Sequence, residues 1–375
     1  MKKKSMSKFD STPRLARKEI FLNHAAVSPV SRRVARRLSD AAAELSRKRP
    51  DLKGWVHIME ECRKKTAARI NCSPESIGFT QNTSHAVSLV AEGLNLKKGD
   101  EILVSPVEYP ANYYPWKHLA RRGIKITELP AYEPTPSPGT IEEYSTRKTR
   151  LVALSHVQYL AGHTSDLAGI AEICKKKKIY TFADLIQSVG VLPVDVSRLG
   201  IDFAAFGSQK WLLAPPGIGV LFIAGHLLRE ITPVITGAFS VRNPLAPQEK
   251  LLEFQHTAKK FESGTMNFML FYALAEALDI IEEKTTDYIY TTAMEKRNYL
   301  CNLLIEKGYT IHSPGVETAL SPILTFSAGT EDGTKTLYRK LANGGVTATF
   351  RSNTIRFSPH YYTPVKKLKK LVTLL

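Results

Sequence analysis

The stretch Lys178–Gly217, KIYTFADLIQSVGVLPVDVSRLGIDFAAFGSQKWLLAPPG, decides the fold. It reads as two short buried strands. The first, Ile179–Ala183, ends at Asp184; the second, Phe203–Phe206, ends in Gly207-Ser208-Gln209-Lys210. A turn, a short helical piece and the Pro193-Val194-Asp195 break lie between them. Strands joined by a crossover run parallel, so Asp184 and Lys210 emerge at one carboxyl edge, where open α/β sheets bind ligands. Either residue alone is an ordinary strand-end surface group. Together, an acid and an amine suit pyridoxal phosphate, which needs a lysine for its aldehyde and an acid for its ring nitrogen.

The pattern around this stretch is one of alternation. Strands are expected at Ile102–Ser105 and Leu151–Leu154, and a short strand or turn at Ile77–Thr80. Helices are expected from Ser28-Pro29 (N-cap and N1) through Leu45, from Asp51 to about Ile70, over Ala86–Leu94 and over Asp166–Lys177. Strand and helix alternating from Ile77 to Ile223 predict an α/β fold with a doubly wound, mostly parallel sheet. Asn82-Thr83-Ser84 opens the helix that carries Val87, Val90 and Leu94 on one face. Its hydroxyls and free N–H groups suit a phosphate, and equally a simple cap. After Gly225 the pattern changes. A long helix from about Asn267 to Lys284 precedes Leu300–Ile305, Ile323–Phe326, Thr336–Asn343 and Thr354–Phe357, which predict a small α+β domain. In the last of these, alternation sets Ile355 and Phe357 on one face and Arg356 on the other. Arg356 there offers a bidentate match to a carboxylate, with Arg351 a nearby competitor.

A chain of 375 residues, 43% hydrophobic, buries a large core and divides into more than one domain. Its apolar runs, such as Ile218–Ala224, fall far short of a membrane span. The basic start, MKKKSMSKFDSTPRLARKE, lacks the apolar stretch of a signal peptide, so a cytoplasmic location is expected. Cys62, Cys72, Cys174 and Cys301 are widely spaced, which argues against a zinc site or a disulfide framework; no metal is expected. The net charge of +17 comes from Arg32-Arg33/Arg36-Arg37, Arg47-Lys48-Arg49, Arg63-Lys64-Lys65, Lys175–Lys178 and Lys366–Lys370. These runs are scattered, often in last helical turns. They read as a solvated surface that attracts acidic metabolites rather than as a nucleic-acid groove.

Asp184-x-x-Gln187 followed by Ser208-Gln209-Lys210-Trp211 resembles the core of the class V aminotransferase family of pyridoxal-phosphate enzymes, the cysteine desulfurase and isopenicillin N epimerase-like branch. Glu108-Tyr109-Pro110-Ala111-Asn112-Tyr113-Tyr114-Pro115-Trp116 and Arg356-Phe357-Ser358-Pro359-His360 match further family segments, so the resemblance covers nearly the whole chain. Gln209 and Tyr109 stand where histidine is common, and Tyr159 where desulfurases have asparagine.

The resemblance implies a type I fold: a segment 1–27 near the active site, a large cofactor-binding domain 28–260 and a small domain 261–375. It implies Lys210 as the cofactor-bonding lysine and the base at Cα, and Asp184 on the ring nitrogen. It also implies Gln187 or Gln158 on the ring oxygen, and Tyr109 stacked on the ring. Thr83, Ser84, Ser208, Gln209 and a partner subunit's copy of Thr265 are phosphate contacts; Arg356, Asn23 and His24 face the substrate. His156 is expected to be a satisfied structural histidine, and Tyr113 and Trp116 core aromatics. The activity implied is transamination, or lyase or epimerase chemistry, on an amino acid by a homodimer. A C–S lyase or desulfurase, and a silent basic relative that binds nucleic acid, stay as alternatives. The segment Gly345–Thr354 has no cysteine, which speaks against a desulfurase with its own nucleophilic thiol.

Overall fold

The computed structural model describes residues 11–16, 18–47, 49, 51–243 and 252–375. Part of the N-terminal segment 1–27 and Lys48 of the Arg47–Arg49 run lie outside the described residues. In chain order the first strands are β1 (Ile20–Phe21), β2 (Ile77–Thr80), β3 (Glu101–Val104), β4 (Lys125–Glu128) and β5 (Thr149–Ser155). They are followed by β6 (Tyr180–Asp184), β7 (Phe203–Gly207), β8 (Gly219–Ile223), β9 (Thr310–Ile311) and β10 (Leu324–Ser327). The last three are β11 (Val346–Thr347), β12 (Thr349–Arg351) and β13 (Thr354–Phe357).

Seven of these make the large sheet, in the order β2-β8-β7-β6-β5-β3-β4. All run parallel except β8, which is antiparallel to both neighbours. Strands β2, β3, β7 and β8 are buried along their whole length, as strands covered on both faces must be, and so appear as continuous apolar runs. The decisive pair is as expected: β6 and β7 lie side by side with Phe182 opposite Phe203 and Asp184 opposite Ala205. Strand β4, KITE, is absent from the sequence reading because it is an edge strand. It carries no apolar run, only half-buried Ile126 and Thr127 between charged ends.

The caps Asp51, Asn82 and Asp166 accept from Gly54, His85 and Gly169 N–H groups respectively. The first helix differs from expectation. It runs Arg32–Leu45 with Ser31 as its cap, because the Ser28 N–H is spent on the Gln209 carbonyl at 2.8 Å, which holds Ser28-Pro29 extended. At the other end Pro364 caps Val365–Lys369, and the Thr363 hydroxyl accepts from the His360 N–H. Trp116 is fully buried with its ring against Phe182, as a core aromatic should be.

A second, antiparallel sheet, β12-β13-β10-β9, has its own core of Leu300, Leu304, Phe326, Leu341, Ile355 and Phe357. Because β1 pairs in parallel with β11, Ile20 and Leu22 join that core. The next residues, Ala25–Val27, then cross to the carboxyl edge of the large sheet. Helix Phe268–Lys284 packs on helices Arg32–Leu45 and Leu52–Arg69. No helix among the described residues is long and apolar enough to cross a membrane.

Candidate active site

The carboxyl ends of β6 and β7, the start of helix Thr83–Gly93 and residues of β12 and β13 enclose a cavity of about 400 Å³. Asp184 lies in it, 1% exposed, accepting from the Ile186 N–H at 2.9 Å through Oδ1. Its Oδ2 is buried with no partner among the described residues. Burial pushes the carboxyl up to about 6, against the pull of the Ile186 N–H and Lys210. Loss of water likewise brings the Lys210 amine down to about 8; Asp184 opposes that shift, and Arg356 and Arg351 add to it. Lys210 Nζ stands 5.6 Å from the centre of the Tyr109 ring, which meets Tyr159 edge-on at 5.2 Å.

Gln187 also lines the cavity, held at both ends of its amide. It donates to the Ala25 carbonyl at 3.0 Å and accepts from Trp211 Nε1 at 2.8 Å, leaving one N–H for a ring oxygen. Trp211 fits there because Gly190, at φ +106°, has no side chain; a Cβ would sit 2.5 Å from the Trp211 carbonyl. Thr83 and Ser84 also line the cavity, at a helix start where the Asn82 cap takes the His85 N–H and the Thr83 and Ser84 N–H groups are left for an anion. The Thr83 hydroxyl is buried and unpartnered among the described residues. Gln209 borders the same space. A bare carboxylate oxygen, a desolvated amine and an unpartnered hydroxyl at a helix start match the ring nitrogen, aldehyde and phosphate of pyridoxal phosphate. The residues present fit that group.

Arg356 is 5% exposed. Its guanidinium donates to the Tyr159 carbonyl and, at 3.3 Å, to the Thr349 hydroxyl, while Nε has no partner among the described residues. Burial, then the neighbouring Arg351, brings it down to about 10, still cationic at neutral pH. Arg351 lies at the mouth, its Cζ 5.3 Å from the Tyr159 ring centre and 5.9 Å from that of Tyr109.

Several expected contacts are not at the cavity. Gln158 spends its amide oxygen on the Leu160 and Ala161 N–H groups and its nitrogen on the Val107 carbonyl, so it caps a turn and Tyr159 faces the cavity instead. His24 is fully buried between the Ser358 carbonyl, 2.8 Å, and the Tyr362 hydroxyl, 2.6 Å, and burial drives it down to about 3. It does not line the cavity. Asn23 acts one residue removed, accepting from the Thr349 hydroxyl that in turn accepts from Arg356. Ser208 is buried and gives its hydroxyl to the Pro215 carbonyl. Thr265 is exposed and lies off this chain's cavity. His156 is not satisfied: its Nδ1 is buried without a partner among the described residues.

The sequence reading gave Glu108 no role. It is half-buried, accepts from the Ser155 N–H at 2.6 Å and from Asn112 at 3.2 Å, and is pushed up to about 7, chiefly by loss of water around the carboxyl, with Asp184 adding to the shift. The available signal was its place just beyond the carboxyl end of β3, on the same edge as Asp184.

A sequence model of the family described as Aminotransferase class-V matches residues 20–347. A probable cysteine desulfurase of Methanothermobacter thermautotrophicus is 35% identical over 59% of this chain and 55% of its own. A probable cysteine desulfurase of Aeropyrum pernix is 31% identical over 78% of this chain and 74% of its own. The chain thus spans just over half the length of the Methanothermobacter relative. Two solved structures of C-DES share the fold. One, a mutant with glycine covalently linked to its PLP cofactor, has a TM-score of 0.88 at 22% identity, covering 95% of each chain. The other, a complex of the cystine C–S lyase with its product cysteine persulfide, has a TM-score of 0.88 at 23% identity, covering 95% of this chain and 96% of that one.

Proposed function

The chain belongs to the class V aminotransferase family of pyridoxal-phosphate enzymes, with their type I fold, and on that premise we propose that it is a C–S lyase. Its substrate is a cysteine-derived amino acid, cystine in the first instance, and the sulfur leaves into solution rather than onto a cysteine of the chain. The observation that carries this reading is where the thiols lie. None of the four lines the cavity around Lys210. Cys62, Cys174 and Cys301 are buried, and burial pushes Cys72 and Cys174 up to about 12 and Cys62 higher still. Sulfur transfer to protein needs an accessible thiolate; none of these thiols lines the cavity, and burial holds Cys62, Cys72 and Cys174 in the neutral form.

When bound, the cofactor supplies a sink for the electron pair left at Cα. Lys210, with its amine lowered toward neutral pH, takes the Cα proton. Arg356 holds the α-carboxylate through its planar fork, exchanging the Tyr159 carbonyl for it. Arg351, braced on two tyrosine rings at the mouth, meets the second carboxylate of a disulfide substrate. The Cβ–S bond breaks with its electron pair on sulfur, and cystine plus water becomes pyruvate, ammonia and cysteine persulfide. Asp184 Oδ2 would hold the ring nitrogen of the bound cofactor, accepting from its N–H and favouring the protonated ring. A homodimer in which Thr265 contacts the partner's cofactor phosphate completes this reading; a monomer in sedimentation that still binds cofactor tightly would remove that part.

The test is to supply cystine to the cofactor-loaded protein and assay pyruvate together with cyanide-labile sulfur in a small-molecule filtrate. Equal amounts of both are expected. Sulfur retained on the protein with release of alanine, or consumption tied to amination of a second keto acid, would overturn the proposal in favour of a desulfurase or an aminotransferase.

A further inference from the structure

A second cavity, of about 800 Å³, lies at the opposite edge of the large sheet, under the amino ends of β5, β6 and β7. It shares no residue with the site around Lys210. Ile179, Val196, Ile201, Ala171 and Phe222 make its wall apolar, while Lys175, Lys178 and Arg150 contribute cationic groups and His226 an imidazole. The lining contains one carboxylate, Asp202, which is already engaged. Its Oδ2 accepts from the Thr181 N–H at 2.9 Å and the Thr181 hydroxyl at 3.2 Å, and Oδ1 lies 3.4 Å from His226 Nε2. Arg150 is paired with Asp100 at 3.1 Å.

The lysine run divides along the same line. Lys176 donates to Glu172 one turn back, and Lys177 donates to the Glu142 carbonyl and the Ser145 hydroxyl. Lys175 and Lys178 line the cavity and have no ion pair or side-chain hydrogen bond among the described residues. Lys178 caps its helix at φ +57°, ψ +42°, a left-handed position where glycine is less strained, yet a lysine stands there. Two unpaired ammonium groups three residues apart suit a multivalent anion, and the volume and apolar wall suit a ring-sized body attached to it.

We propose that this cavity binds a phosphorylated metabolite of the nucleoside diphosphate class, its phosphates between Lys175 and Lys178 and its flat body against Ile179, Ile201 and Phe222. The inference is independent of the reaction proposed above. The test is calorimetric titration of the full, cofactor-loaded chain with ADP at physiological ionic strength. Saturable binding is expected, weakened at least about tenfold in Lys175→Ala/Lys178→Ala. Lys176→Ala/Lys177→Ala, which removes the same charge, should bind within about twofold of the parent, and pyrophosphate should bind the parent at least about tenfold more weakly than ADP. The visible absorbance of the bound cofactor in each variant separates lost binding from lost structure. Absence of saturable binding, equal weakening in the two double variants, or pyrophosphate binding as tightly as ADP would each overturn the proposal.

Discussion

Asp184 and Asp202 stand at opposite edges of the same pair of strands, and their surroundings treat one side chain in two ways. Asp202, at the amino edge, accepts from the Thr181 N–H and hydroxyl and has His226 beside it. Burial raises its pKa, with the Thr181 bonds and His226 opposing. Asp184, at the carboxyl edge, is deeper and has one N–H on one oxygen and, among the described residues, no partner on the other. A bare buried carboxylate oxygen is costly, and persists where a bound group supplies the missing donor. At the amino edge the Asp202 carboxylate is satisfied by the chain itself. At the carboxyl edge Asp184 leaves a buried oxygen that a bound group would have to supply with a donor.

The largest effect belongs to Lys210. Lys210→Ala should lower turnover by at least about 10²–10⁴-fold. Borohydride reduction followed by peptide mapping should find the pyridoxyl label on this residue in the parent and on no other lysine. Label elsewhere would break the assignment of the carboxyl edge.

Asp184 tests the missing donor directly. Its carboxyl titrates near 3.8 when unperturbed and at about 6 in the folded protein. The folded state therefore binds the proton more tightly: its stabilising contribution is full below 3.8 and is lost as pH rises through 6. In cofactor-free protein Asp184→Asn should be more stable than the parent above pH 7, by roughly 2–3 kcal/mol, with the gap closing toward pH 4. Urea titrations across that range measure it. Cofactor should stabilise the parent more than the variant. A variant destabilised equally at every pH would mean that Asp184 is satisfied by something else.

Arg356→Ala should keep the yellow cofactor-loaded protein and lose about 1.5–3 kcal/mol of amino-acid binding, or roughly ten- to a hundred-fold, while sparing amines without a carboxylate. Spectral titration with each ligand reads the difference. If Arg351→Ala alone shows the loss, the two arginines have been assigned in reverse order.

The smallest catalytic effect is expected at the other edge. Asp202→Asn removes an acceptor from the Thr181 pair and should cost about 0.5–1.5 kcal/mol of stability while leaving kcat/KM within about twofold. Thermal melts and initial rates check both. A large loss of turnover would show that the two edges are not separate.

Much of the site was legible in the chain. Asp184, Lys210, Thr83 and Arg356 line one cavity, as their positions in the chain predict, because strand ends, a helix start and alternation fix where such residues emerge, and these are local properties. Gln158 and His24 went wrong for one shared reason: each has polar groups that other segments were free to claim. The Gln158 amide is taken by the turn that follows it, and the His24 ring by Ser358 and Tyr362, more than three hundred residues away. Glu108 was passed over because a glutamate after a strand is ordinarily solvated; only burial beside Asp184 makes it otherwise.

Short-range physics in the sequence therefore determined the strand–helix alternation, the parallel pairing of β6 with β7, and the acid and amine on one edge. These follow from periodicity, crossover handedness and chain order, none of which needs a distant partner. Tertiary structure decided which side chains were left unspent. Hydrogen-bond capacity is finite, and Asp184 Oδ2, the Thr83 hydroxyl, Lys175 and Lys178 are distinguished from their neighbours only once every other claim on them is known.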